Sequence, residues 1–136
     1  MKDKWLSAAL VLMTLGVGGC VVIDAKTEEP CPLSEPDEVT IREIEAVGKL
    51  TFDNDRCRGY KNIAERPGLG DRAQVHLVEA AFKRLTFENA KVDVLLTLVH
   101  NPCFSPAAKA ALLDRLDRLT FESNKRTILE ALNKKT

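Results

Sequence analysis

The thiols and imidazoles of this sequence, the side chains best suited to bind a soft metal, form a covalent bond or move a proton near neutral pH, number six: Cys20, Cys31, Cys57, Cys103, His76 and His100. Their spacing argues against most of that chemistry. A zinc site drawn from Cys57, His76, His100 and Cys103 would lack both the C-x-x-C and the H-x-x-x-H step, by which one element presents two ligands to one ion. Only His100 and Cys103 lie three apart, across a proline turn. The ordinary readings are His76 on a helix surface and His100 near the last carbonyls of a helix. No G-x-S-x-G, H-E-x-x-H or phosphate loop occurs, and Gly68-Leu69-Gly70, set between Pro67 and Asp71, reads as a turn. Carboxylates are numerous but scattered over charged helix faces. The sequence therefore names no catalytic, cofactor-binding or metal-binding residue, and a protein that is not an enzyme is expected. A small hydrolase or metal-dependent enzyme is the minor alternative.

Cys20 stands apart from the other thiols. Lys2 and Lys4 open the chain, an apolar run of about a dozen residues follows, and Val17-Gly18-Gly19 leads directly into Cys20. The run is short for a membrane span, which needs about 20 apolar residues. The stretch resembles the bacterial lipoprotein signal, with Val17 at −3, Gly18 and Gly19 at −2 and −1, and the obligatory cysteine at +1. Val17 departs mildly from the commoner leucine. The resemblance implies cleavage before Cys20 and acylation, palmitate included, of its thiol and new amino group. An ordinary signal peptide with an incidental cysteine is the alternative. Acyl chains contribute about 0.8 kcal/mol per buried methylene, so two or three anchor stably. The expected organisation is a signal over 1–19, a lipidated tether over 20–35 and a folded domain over 36–136. The expected location is the bacterial envelope. Val21, where an Asp would favour inner-membrane retention, leans towards the outer membrane of a Gram-negative cell.

Outside the cytoplasm disulfides persist. Cys31, Cys57 and Cys103 can form one bridge in three ways. Cys57 falls near the start of a predicted helix, where it reads as a small buried hydrophobe. Cys31 and Cys103 both fall at the opposite end of the predicted helices, so Cys31–Cys103 is the favoured pairing.

The elements that position these residues follow from a repeated phrase. Leu50-Thr51-Phe52, Leu85-Thr86-Phe87 and Leu119-Thr120-Phe121 recur every 34 to 35 residues. Repetition at this scale marks arrays of helix pairs. Before each copy, apolar residues recur at steps of three and four: Ile41, Ile44, Val47; Val75, Val78, Phe82; Leu112, Leu113, Leu116. After each copy second helices are predicted over 54–64, 89–100 and 123–134. The fold class expected is all-α, with three helix-pair repeats of about 35 residues in a compact bundle or short stack. Start signals are Ser34 with Asp37, Asp71 with Gln74 at capping-box spacing, and Ser105 before Pro106. The middle second helix, with Val92, Val94, Leu95, Leu96, Leu98 and Val99, is apolar nearly all round and should be the core.

Within the phrase, Phe52, Phe87 and Phe121 should plug the corner between the two helices of each pair. An acid follows each Phe (Asp53, Glu88, Glu122), where the helix dipole favours it. A base three residues further (Arg56, Lys91, Lys125) can pair with that acid. The Thr, or the Asn or Ser three residues on, can cap the second helix. The functional alternative is a binding ladder of these acids and bases.

An F-[DE]-[SN]-x-[KR] phrase repeated about every 35 residues between helices resembles the domain of unknown function numbered 4476. The likeness covers roughly 36–134, with Leu50, Leu85 and Leu119 where the family often has Phe. It implies a helical fold behind a secretion signal and no activity. Tetratricopeptide repeats share the period but not the Trp, Gly and Tyr landmarks. The formal net charge is zero, which gives nucleic acid no electrostatic footing. The expected partners are the membrane, through Cys20, and another envelope protein bound by helix faces or loops. A purely structural spacer is the alternative.

Overall fold

The computed structural model describes Cys31 and residues 36–135. The expected lipidation site Cys20, most of the tether and the proposed cap Ser34 lie outside the described residues. The fold is all-α. Its helices are α1 (Asp37–Gly48), α2 (Asp53–Ala64), α3 (Asp71–Arg84), α4 (Glu88–Val99), α5 (Pro106–Arg115) and α6 (Glu122–Lys135). A 3-10 turn, Leu116–Arg118, extends α5. None of these helices is long and apolar enough to cross a membrane.

The helices form two rows. In one, α1 packs on α3 and α3 on α5; in the other, α2 packs on α4 and α4 on α6. Contacts of α1 with α2, α2 with α3 and α3 with α4 bind the rows together. The last two helices lean mainly on their row predecessors rather than on each other. The core runs between the rows through Ile44, Tyr60, Ile63, Leu77, Leu95, Leu98, Leu112 and Ile128, all essentially without solvent exposure. Each aliphatic side chain so buried contributes about 1.5–3 kcal/mol. Helix α4 buries Val92, Val94, Leu95, Leu98 and Val99, as its apolar circumference requires when neighbours cover it on several sides. At Gly59 in α2 an added Cβ would lie 2.7 Å from Val47 Cγ1, so α1 and α2 approach through a gap that only glycine leaves. Gly68, at φ 78°, supplies the left-handed residue of the turn into α3.

The start signals have mixed outcomes. Ser105 caps α5: its Oγ accepts from Ala108 N–H at 3.1 Å, and Pro106 occupies the first turn. The Asp71–Gln74 box does not form. Helix α3 begins at Asp71, its N-cap is Gly70, and no side chain caps it. Gln74 is instead fully buried. It donates to the Leu69 and Cys103 carbonyls at 2.8 and 2.9 Å, and its Oε1 accepts from Ser105 N–H at 2.9 Å. Asn101 works beside it, donating to the Ala64 and Arg66 carbonyls and accepting from Cys103 N–H. These two amides sew loops 65–70 and 100–105 together at one end of the helices. Cys31 joins that end through a disulfide to Cys103, with the Cα atoms 5.7 Å apart.

Candidate functional site

The Leu-Thr-Phe corners lie at the other end, and they differ from the sequence reading. Phe52, Phe87 and Phe121 do not plug them: the residues are 68%, 65% and 58% exposed. The plug is the preceding leucine in two of three cases, since Leu85 and Leu119 are 3% and 2% exposed. Each Phe is the residue just before its helix, and at Phe87 and Phe121 the backbone N–H makes the inward contact.

That contact is a carboxylate from the preceding helix pair. Asp53, at the start of α2, accepts from Thr86 N–H at 2.8 Å and from Phe87 N–H at 3.1 Å. Glu88, at the start of α4, repeats this on Thr120 N–H at 2.6 Å and Phe121 N–H at 3.0 Å, and also accepts from Asn124 Nδ2 at 2.7 Å. Neither Thr nor Asn caps α2 or α4 through its side chain. The N–H groups ahead of a helix are met by the neighbouring pair instead. Burial alone would raise the Asp53 carboxyl, but the Thr86 and Phe87 N–H groups and Arg56 outweigh it and hold it below its ordinary range. At Glu88 the same opposition ends lower, at about 2, because the Thr120 and Phe121 N–H groups and the Asn124 amide all favour the ionised form. Arg56 also ties its own corner, donating to Leu50 O at 2.8 Å and to Asp53 Oδ1 at 3.0 Å. Lys125 pairs with Glu122 at 2.9 Å. The ladder of free acids and bases therefore does not exist as such: Asp53 and Glu88 are occupied inside the fold, and Glu122 alone among the three acids is exposed.

The thiols and imidazoles are dispersed. Cys103 is in the disulfide. Cys57 is free and half-buried, its Sγ 3.8 Å from the Ala90 carbonyl. Burial, and then Asp93, push its thiol above the ordinary value, which disfavours the reactive thiolate. His76 lies 3.8 Å from Glu45, and His100 is the C-cap of α4. Among the described residues no group of three acids, cysteines or histidines could hold a metal ion.

A groove of about 330 Å³ crosses the α1, α3 and α5 row, with Ile41, Val75 and Ala107 among its lining and Asp71, Arg72, His76 and Glu79 beside them. Arg115 closes on Glu79 at 3.0 Å, joining α5 to α3. Sequence reasoning missed the carboxylate clamps and the buried amides Gln74 and Asn101. A signal for the clamps was present: the acid stands directly after Phe in all three copies, although the helix dipole would accept one anywhere in the first turn.

No family model matches the chain, and no curated protein or solved structure matches it either.

Proposed function

We propose that this chain is a lipid-anchored protein of the bacterial envelope, held to the membrane through Cys20, that works without catalysis as a binding or scaffolding module for another envelope protein. The outer membrane is the preferred site. The observation that carries the binding reading is the set of three exposed phenylalanines at successive corners, each set beside the next by a carboxylate clamp. Packing covers less than half of each of these residues. Exposed aromatic residues are the side chains that most often anchor protein partners, because they remove much apolar area at little entropic cost. The Cys31–Cys103 bond supports an oxidising compartment. Val17-Gly18-Gly19-Cys20 supports the anchor. The corner carboxylates with lowered values serve backbone N–H groups, which speaks for structure over proton chemistry.

Crosslinking pulldown from native membranes tests the reading. The wild-type chain should incorporate palmitate and recover a specific partner. Phe52→Ser/Phe87→Ser/Phe121→Ser should keep its helical circular dichroism and lose that partner. Cys20→Ala should lose palmitate and leave the membrane fraction. Recovery of the partner undiminished by the triple substitution would overturn the role of the rings. A wild type with no partner would favour the spacer.

A further inference from the structure

The corner clamp follows one rule at each internal junction: the acid that begins the second helix of one pair takes the Thr and Phe N–H groups of the next pair. Among the described residues the rule leaves one acceptor and one pair of donors over. At the α5–α6 end, Glu122 is the acid in the clamp position, and no further pair follows it among the described residues. Its side chain is 80% exposed and held by Lys125 at 2.9 Å, as Arg56 holds Asp53 at 3.0 Å. At the α1–α2 end, the Thr51 and Phe52 N–H groups occupy the donor position and meet no acceptor among the described residues.

Packing at the α5–α6 end is incomplete in the same sense. Seven residues past the clamp acid stand Tyr60 in α2, Leu95 in α4 and Leu129 in α6. The first two are fully buried, whereas Leu129 is 42% exposed. Leu113 on α5 is exposed to the same degree.

We propose that copies of this chain associate head to tail, with the Glu122 carboxylate of one copy accepting from the Thr51 and Phe52 N–H groups of the next. The contact continues the internal junction across a molecular boundary. Because acceptor and donors lie at opposite ends, the interface is heterologous and gives chains or rings of copies rather than a closed two-fold dimer. Copies held on one membrane raise each other's effective concentration. The inference deepens the scaffold reading and rests on it for a cellular role, while its geometry stands on the corners alone.

Sedimentation velocity on the full chain, at no more than one chain per detergent micelle, reads the association directly. Wild type should form a concentration-dependent series of oligomers. Glu122→Ala should weaken each step by about tenfold or more, the loss of one charge-assisted contact. Glu122→Asp should retain association, since Asp53 serves the same position. Unchanged circular dichroism in all variants shows that the fold is intact. In parallel, Thr51→Cys and Glu122→Cys chains are joined by a short bis-maleimide. Crosslinked pairs above the wild-type background should appear only when the two variants are mixed. A monomeric wild type, association indifferent to Glu122→Ala, or crosslinks joining Glu122→Cys copies to each other would overturn the proposal. A monomeric wild type would leave the scaffold reading intact, because that reading is judged by the heterologous partner.

Discussion

Glu88 shows how much one side chain can do for a neighbour distant in sequence. Its two oxygens meet three donors that lie 32 to 36 residues further along the chain. Its carboxyl titrates at about 2 in the fold against an ordinary 4.5. A carboxyl depressed in the native state contributes stability above its unfolded value and loses it as the pH falls through the native one. The contribution is therefore full above about pH 4.5 and spent near pH 2. Thermal unfolding of wild type and Glu88→Gln should show the variant less stable at neutral pH, with the two melting temperatures converging between pH 4.5 and 2. A gap that stays constant across that range would remove the clamp from the account. The sequence showed the acid and its favourable place at a helix start, but it read the acid as serving its own helix. Nothing local to residue 88 announces donors on the next pair.

Among the elements, the periodic segments were the most legible. The second helices predicted over 54–64, 89–100 and 123–134 are observed at Asp53–Ala64, Glu88–Val99 and Glu122–Lys135. Ser105 with Pro106 also read correctly, because an N-cap is a contact within four residues. Gln74 read incorrectly for the complementary reason. Its spacing from Asp71 fits a local box, while its actual partners belong to two loops that only the tertiary fold brings together. The corners failed through a similar shortcut: the largest apolar residue of the phrase was assigned the hole that leucine fills at two of the three corners. Urea unfolding distinguishes the two. Leu85→Ala should cost about 2–5 kcal/mol as a buried truncation, whereas Phe87→Ala should stay within about 0.5 kcal/mol as a surface change. Equal losses would mean that the ring carries packing after all.

For the whole molecule, two rows of helices follow from a 34- to 35-residue period, because equivalent helices of successive pairs must stack to bury a continuous core. The difference between the two ends was less legible, since it depends on which N–H groups lack an acceptor and which leucines are left partly exposed among the described residues. The disulfide is a molecule-scale constraint, closing residue 31 onto residue 103 over a separation of 72. Cys103→Ser should lower stability by about 2–4 kcal/mol, and reducing the wild type should bring its unfolding curve onto that of the variant. A wild type indifferent to reductant would show that the bond is absent or idle.

The position of that bond also sets a path for mechanical force. Cys31 precedes α1, so tension arriving from the N-terminal side divides there, part of it passing through the covalent link into the loop at Cys103. From there Gln74 and Asn101 spread the load into α3 and the end of α2. Helix α1 therefore does not carry the pull alone, and the domain is also gripped at its middle rather than only at its first turn.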